Sequence, residues 1–310
     1  MNNVTLLARG AVSRPRVSAD GKVVIWNQQV GDKLDLMKYE NGETVNLSNS
    51  PDTHDVDGDL NSDGSVIAWR RAYADGTEVV ASLKGQEKLI DGFPADVGRI
   101  SVSDDGSTVV YDENTMGGLS WNIRRYRDGQ VEQITNSPKM EAFPFVSADG
   151  SRIVYTHYDG KSHLMLKDGQ EEPKVIVSRE ESAIQPDLCA DGNTLVFSEP
   201  KERDFNIHSR DLVSGEYTVR QAVEGVYEKQ PQLASETGEV VYTGYDFRNG
   251  RPADTNLFLD RGNGAPAVKL TESNGGRNTF PDLSENGHTL VWVWTDAEDR
   301  HNRAIYMMER

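Results

Sequence analysis

The chain has 310 residues and a formal net charge of -17, with 50 Asp and Glu residues against 33 Lys and Arg residues. This charge argues against a nucleic-acid partner, because proteins hold phosphate groups with basic surfaces. The single cysteine, Cys189, excludes an intramolecular disulfide and a zinc site made of several cysteines, and no segment has the roughly 20 apolar residues of a membrane helix.

The first predicted element is a strand at residues 3–8, NVTLLA, which has no hairpin partner nearby in the sequence. The segment around it has neither the basic region nor the long apolar run of a secretion signal. At the other end, residues 304–310, AIYMMER, form a last strand with no strand after it. We therefore expect the first strand to pair with the last one, which would cover an exposed sheet edge.

Between these two strands, a twelve-residue segment occurs seven times. The copies begin at Pro15, Gly58, Ile100, Pro144, Pro186, Pro231 and Pro281. Each copy ends in an aromatic residue: Trp26, Trp69, Tyr111, Tyr155, Phe197, Tyr242 or Trp292. Repeats at a constant spacing indicate a fold made of similar units.

Each repeat predicts a β-hairpin: a short strand, a turn with Asp-Gly or a related pair, and a β-branched strand that ends in the aromatic. Two further strands follow, as in residues 34–48, LDLMKYENGETVNLS. Four strands per unit and 42 to 50 residues between aromatics are typical of propeller blades. We predict an all-β, seven-bladed propeller of four-stranded antiparallel blades, one domain over residues 1–310, in which the strand at residues 3–8 completes the seventh blade.

The second repeat contains an acidic stretch, DVDGDLNSDG, whose spacing resembles the first half of an EF-hand calcium loop. An EF-hand requires a glutamate where this chain has Arg70, and comparison with the other repeats identifies Asn61, Asp63 and Gly64 as turn residues. Asp55, Asp57 and Asp59 remain, and in a regular strand they would all project to one side. Two interpretations follow: ion pairs with Arg14, Arg16 and Arg99 of the adjacent blades or plain solvation, or a bound calcium ion.

The segments on either side of the first strand of each repeat are predicted to surround one mouth of the central channel. Of these segments, the side chains we expect to bind a ligand are Arg14, Arg16, Arg99, Glu141, Phe143, Glu228, Asn278 and Phe280. The variable loops that follow the aromatics add Arg71, Tyr73, Tyr245 and Trp294. Loops on a rigid scaffold commonly carry binding residues.

The pattern P-x-x-S-x-D-G, followed by a β-branched strand and an aromatic, resembles the repeat of the TolB-like propeller family along essentially the whole chain. This resemblance implies a funnel-shaped face that binds a ligand, and it favours a periplasmic or extracellular location. The family includes protein-binding propellers, gating domains of serine peptidases and polysaccharide lyases, so the resemblance does not specify a reaction. The chain could also be one module of a larger protein.

Two functions are consistent with these residues. The first is non-catalytic binding of a protein segment or an oligosaccharide on the funnel face, with calcium as a possible bound ion. The second is a polysaccharide lyase acting on uronate chains, in which His157 or Tyr158 removes a proton and Arg70 and Arg248 neutralise the carboxylate. The negative net charge weighs against a polyanionic substrate unless the funnel is locally basic.

Overall fold

The structure is a computed structural model. It describes residues 3–93, 96–114, 118, 120–179, 186–188, 192–201, 204–220, 223–248 and 251–310. The described residues form strands, turns and bends and contain no helix, and so no segment of them is a candidate membrane-spanning helix. Cys189 lies outside the described residues.

The strands form seven four-stranded antiparallel sheets, each of which is one blade. Blade 1 consists of β2 (Val12–Val17), β3 (Val23–Val30), β4 (Lys33–Glu40) and β5 (Glu43–Asn46). Blade 2 consists of β6 (His54–Leu60), β7 (Val66–Ala72), β8 (Thr77–Leu83) and β9 (Gln86–Phe93). Blade 3 consists of β10 (Asp96–Val102), β11 (Thr108–Asn114), β12 (Asn122–Arg127) and β13 (Gln130–Gln133).

The remaining blades repeat this order, with the first strand of each innermost. Blade 4 consists of β14 (Met140–Val146), β15 (Arg152–Tyr158), β16 (Ser162–Asp168) and β17 (Lys174–Arg179). Blade 5 consists of β18 (Pro186–Leu188), β19 (Thr194–Lys201), β20 (Asp204–Asp211) and β21 (Tyr217–Val219). Blade 6 consists of β22 (Val226–Ala234), β23 (Glu239–Arg248), β24 (Arg251–Asp260) and β25 (Val268–Lys269).

Blade 7 combines the two ends of the chain. Its order is β26 (Gly276–Leu283), β27 (Thr289–Asp296), β28 (Arg303–Glu309) and β1 (Asn3–Gly10). The pairing of β1 with β28 is antiparallel and runs from Asn3 opposite Glu309 to Gly10 opposite Arg303. The predicted propeller, its seven blades and its closure by the first strand are all confirmed.

The core lies between neighbouring blades. The seven aromatics that end the repeats are buried, and the most exposed of them, Trp292, is only 4% exposed. Trp26 of blade 1 packs with Val291 and Ile305 of blade 7, and Trp69 of blade 2 packs with Ile25 and Leu36 of blade 1. Burial of these large side chains provides the main favourable free energy that holds adjacent blades together.

The hairpin turns of adjacent blades are also linked through their backbones. The N–H of Asp20 donates to the carbonyl of Ser62, and the N–H of Ser62 donates to the carbonyl of Asp104, both at 3.2 Å. Asp105 and Glu236 donate in the same way to Ala148 and Glu285. These bonds fix the spacing of the blades at one end of the channel.

Candidate functional site

At the end of the channel opposite the hairpin turns, the innermost strands contain a β-bulge. In the six blades whose inner strand is described at this point, the register shifts directly around the residue that precedes the repeat. Five of these residues have a left-handed backbone conformation: Arg14 (φ 51°), Asp57 (φ 59°), Phe143 (φ 58°), Gln230 (φ 56°) and Phe280 (φ 53°). Such a conformation costs a non-glycine residue about 1–3 kcal/mol and is concentrated at functional sites. We call these five residues the bulge ring.

Side chains from the preceding blade hold the bulge ring in place. The backbone N–H of Asp57 donates to Asn27 at 3.2 Å, and the backbone N–H of Phe143 donates to Asp112 at 2.9 Å. In blade 7, the N–H of Phe280 donates to Gln230 at 3.1 Å. The left-handed backbones of these three residues are therefore held by contacts between blades.

The bulge ring exposes large side chains at the mouth of the channel. Phe143 is 48% exposed, Phe280 is 52% exposed, and the side chain of Arg14 is 61% exposed. Bulges commonly redirect a side chain beside a binding site. The predicted ligand contacts Arg14, Phe143 and Phe280 therefore lie where a partner can reach them.

The second layer of the channel is polar and internally paired. Arg16 donates to Asp282 at 2.9 Å and lies 4.0 Å from Asp59. The Arg99 guanidinium lies 3.9 Å from the centre of the Phe145 ring, a cation–π contact. Further down the channel, burial, and then the nearby charges of Asp59 and Asp105, raise the pKa of Asp104 to about 6.

The three aspartates of the acidic stretch do not share one environment. Asp55 is fully buried and accepts hydrogen bonds from Trp69 Nε1 and Arg71 Nε, both at 2.8 Å. Asp57 pairs with Arg14 and Arg70, and Asp59 accepts the backbone N–H of Val102. The expectation that all three project to one side is wrong, because the bulge between Val56 and Asp59 interrupts the alternation of the strand.

One of the two interpretations was ion pairs between blades. Such pairs are present between Arg14 and Asp57 and between Arg16 and Asp59. Arg99, the third predicted partner, stacks on Phe145. Within the described part of the chain, no three or more His, Cys, Asp or Glu side chains are grouped so that they could hold a metal ion. The calcium interpretation stays a prediction.

Three other predicted ligand contacts lie inside the blades. Glu141 and Asn278 are 7% and 3% exposed, and Glu228 is fully buried. Asn278 accepts the N–H of the Trp292 indole at 2.8 Å, and Glu228 accepts the backbone N–H groups of Ile207 and Val223. These side chains are buried and bonded within a blade or, for Glu228, between blades 5 and 6, whereas exposed side chains were expected.

The loop residues predicted as contacts differ in exposure. Arg71 is buried and pairs with Asp55 and Glu87, whereas Tyr73 is 44% exposed and donates to Glu78. Trp294 is partly buried and donates to the Ser273 carbonyl at 3.0 Å. Burial raises the pKa of the Tyr245 hydroxyl. Of these loop residues, Tyr73 is the most accessible.

The residues of the lyase hypothesis take part in separate contacts. His157 Nδ1 lies 3.2 Å from Glu141 within blade 4, and Tyr158 is 36% exposed. Arg70 donates to Asp57 and to the Val97 carbonyl between blades 2 and 3. Arg248 lies on β23, and its side chain is outside the described residues.

No family model matches the chain. A curated protein, the TolB homolog of Chlorobaculum tepidum, is 31% identical over 104 residues, which cover 33% of this chain and 24% of that protein. The match thus spans about a quarter of the length of that relative. TolB from Acinetobacter baumannii superposes over 97% of this chain and 64% of its own, at 15% identity and a TM-score of 0.54.

The chain resembles a TolB-like propeller.

Other solved structures share this TolB-like fold more closely. The oligogalacturonate lyase of Vibrio parahaemolyticus has a TM-score of 0.72 at 13% identity, with 100% of this chain and 97% of that chain covered. The propeller domain of the Trilobed protease of Pyrococcus furiosus has a TM-score of 0.73 at 13% identity, with 98% and 94% covered. That propeller has an open velcro topology, whereas β1 closes the ring here. At these identities the likeness shows the fold alone.

The left-handed bulge is the feature of this mouth that the sequence did not reveal. None of the five bulge-ring residues is glycine, the residue that normally marks a positive φ. As a result, Asn27 and Asp112 were missed as the groups that hold the bulge. Comparison of the repeats aligns Arg14, Asp57, Phe143, Gln230 and Phe280 in one position, but it does not indicate their backbone conformation.

Proposed function

We propose that this chain is a non-catalytic TolB-like propeller that binds a protein segment at the mouth of its central channel. The observation that carries the proposal is the bulge ring, whose left-handed backbone places the exposed rings of Phe143 and Phe280 at the mouth. Aromatic side chains have few torsions to immobilise for the contact area they offer, and aromatic and arginine side chains are enriched at protein interfaces.

Phenylalanine suits an apolar side chain of a partner, because its ring offers a large contact area and no hydrogen-bonding group. Arg14 adds an exposed cation to the same ring of residues. This combination of apolar anchors with a polar rim is typical of protein interfaces. A segment with apolar residues spaced to reach Phe143 or Phe280 fits the mouth.

A role without catalysis is supported by the contacts of the candidate catalytic residues. His157 is bound to Glu141, and Arg70 is bound to Asp57 and to a backbone carbonyl. The fold shared with an oligogalacturonate lyase gives no preference for a reaction, since the identity is 13%. We therefore assign the mouth to binding.

The test is selection of random peptides displayed on phage against the purified chain, followed by calorimetry with synthetic copies. We expect Phe143→Ala or Phe280→Ala to raise the dissociation constant at least about tenfold, as for hot-spot aromatics. Leu89→Ala, which removes an equally exposed apolar side chain (55%) from the outer strand of blade 2, is the matched control and should have no effect.

Two results would contradict the proposal. The first is that no peptide is recovered whose affinity depends on Phe143 or Phe280. The second is turnover of oligogalacturonate, seen as a rise in ultraviolet absorbance from the unsaturated product, that is lost in His157→Ala or Tyr158→Phe. The second result would establish the lyase alternative.

A further inference from the structure

Two arginines at the mouth, Arg14 and Arg70, lie on either side of Asp57. We call these two arginines the arginine pair. Arg14 Nη1 lies 2.8 Å from Asp57 Oδ1, and Arg70 Nη2 lies 2.9 Å from Asp57 Oδ2. Both carboxylate oxygens are thus engaged, and one negative charge faces two guanidinium groups. The three side chains together keep one excess positive charge on a chain whose formal net charge is -17.

The two arginines are not equally accessible. The side chain of Arg70 is 25% exposed and also donates to the Val97 carbonyl, whereas the side chain of Arg14 is 61% exposed. Arg14 and Asp57 both belong to the bulge ring, and the backbone N–H of Asp57 is held by Asn27. Arg14 therefore presents a guanidinium whose orientation is set by Asp57 and whose charge is not fully neutralised.

The layer below is more nearly balanced in charge. There Arg16 is shared between Asp282, at 2.9 Å, and Asp59, at 4.0 Å, and the Arg99 guanidinium stacks on Phe145. Each guanidinium of this layer thus already has a partner, so an anionic group is favoured at the rim, where the Arg14 side chain is exposed.

The bulge residue of the neighbouring blade is apolar. Blade 7 is the neighbour of blade 1 in the ring, and its bulge residue, Phe280, is 52% exposed. The excess charge at the arginine pair is a single one, which fits a singly charged carboxylate, and a guanidinium can bind such a group through two parallel hydrogen bonds.

We propose that Arg14 binds a carboxylate of the partner segment while an adjacent apolar side chain of that segment packs on Phe280. The inference rests on the proposed function and adds the chemistry of the partner to it. The carboxylate comes from an Asp or Glu side chain or from a peptide C-terminus, and these two sources are distinguished in the experiment.

The probes are the peptides recovered by phage selection, synthesised in three forms. One form is unchanged, one has each Asp and Glu replaced by Asn and Gln, and one has its C-terminus amidated. Calorimetry on the full chain should show at least about tenfold weaker binding for the form that lacks the recognised carboxylate. The Arg14→Gln variant should bind the unchanged peptide as weakly as the wild type binds the peptide without the carboxylate. When that variant and that peptide are combined, the affinity should fall no further than with either change alone.

Lys22→Gln is the matched control, because it removes the same charge from an exposed ion pair, with Asp20, at the other end of the same inner hairpin. Arg14→Lys, which keeps the charge but not the paired N–H groups, should retain part of the affinity. Urea denaturation of each variant shows whether the fold is kept.

The outcomes separate the two proposals. If peptides bind and depend on Phe280 but are insensitive to loss of every carboxylate, the carboxylate inference is wrong and the peptide-binding function stands. If no peptide depends on Phe143 or Phe280, both are wrong. Binding of oligogalacturonate that depends on Arg14, without peptide binding, would also overturn the inference and identify a glycan as the ligand.

Discussion

At the scale of single residues, the carboxylate of Asp112 lies buried between blades 3 and 4, where it accepts the backbone N–H of Phe143. Gly98 packs directly on it, and a side chain at Gly98 would collide with the carboxylate. Burial is the largest influence and raises the pKa of Asp112 to about 6, against an ordinary value of 3.8, although hydrogen bonds from Phe143 and Arg99 oppose it. A bulge-ring residue is thus held by a group that changes its charge near neutral pH.

The sign of the resulting pH dependence follows from proton binding. Because its pKa is higher in the folded chain, Asp112 binds more protons when folded, so its contribution to stability is largest below pH 3.8 and is lost as the pH rises through about 6. The two pKa values differ by an amount that corresponds to about 3 kcal/mol. Asp112→Asn keeps an acceptor for Phe143, and we expect its stability relative to the wild type to increase between pH 4 and pH 7 in urea denaturation.

Asp63 provides a control of opposite sign. Hydrogen bonds from the Ser65 hydroxyl and backbone lower the pKa of Asp63, so its contribution to stability is present above pH 3.8 and is lost as the pH falls. Asp63→Asn should therefore lose stability at neutral pH and approach the wild type in acid. The same slope in both variants would contradict the assignment for Asp112.

Residue types alone explain which of these features the sequence could predict. Asp63 and Gly64 were predicted as turn residues because their types have strong turn preferences. Glu141, Glu228 and Asn278 were expected at the mouth because each lies in the segment that precedes the first strand of its repeat. They are buried because the strands around them have polar groups that need partners, and Asn278 and Glu228 supply acceptors.

At the scale of elements, the Asp-Gly turns have a second requirement besides a positive φ. Gly64 has φ 68°, and a Cβ atom there would lie 2.7 Å from Val23 of the preceding blade. A Cβ atom added at Gly85, which has φ 80°, would meet no other atom within 4 Å. The turn of blade 2 is thus in close contact with β3 of blade 1. The sequence of a single repeat could not indicate this contact.

These two glycines form a matched pair for mutation. We expect Gly85→Ala to lower the free energy of unfolding by about 1 kcal/mol, because only the backbone conformation is strained. Gly64→Ala should lower it by a further 1–3 kcal/mol, since Val23 must also move. Equal losses in urea denaturation would show that the contact between blades carries no energy.

The β1 strand is the other element with a testable role. A chain without residues 1–10 leaves the β28 edge unpaired and opens the ring, so we expect a lower denaturation midpoint and association between chains through that edge. A synthetic peptide of residues 1–10, added in excess, should restore the midpoint. The same peptide with Thr5→Pro, which cannot form the ladder normally, serves as the control.

The sequence predicted these elements well and their local distortions poorly. The twelve-residue repeat and its aromatic gave the number of blades, and the unpaired first strand gave the closure. The bulges were not predicted, because a strand pattern assumes regular alternation and a shift of one residue reverses the side chains that follow. That error is the reason why Asp55, Asp57 and Asp59 were expected on one side.

At the scale of the whole molecule, the acidic composition does not extend to the arginine pair at the mouth. The carboxylates of Asp57 and Asp59 are paired with guanidinium groups or a backbone N–H group, and the arginine pair carries one excess positive charge. The partner expected for the mouth is therefore opposite in sign to the one that the net charge of the chain suggests.

Calcium binding can be tested on the same scale. Because Asp55, Asp57 and Asp59 each have donors or cations inside the structure, we expect millimolar calcium to leave the thermal midpoint unchanged relative to a chelator. A micromolar site would stabilise the folded chain by about 4 kcal/mol under these conditions and raise the midpoint by several degrees. Magnesium is the control for general effects of a divalent salt.

The pairing of Asn3 with Glu309 places the start of β1 beside the end of β28 in blade 7. A short linker could therefore join them, and new termini could be made in the turn of any other blade. Such circular permutants would keep the mouth intact and would bring the site of final closure to a different pair of strands. Refolding rates across the series would then show how much the speed of ring assembly depends on where the polypeptide starts.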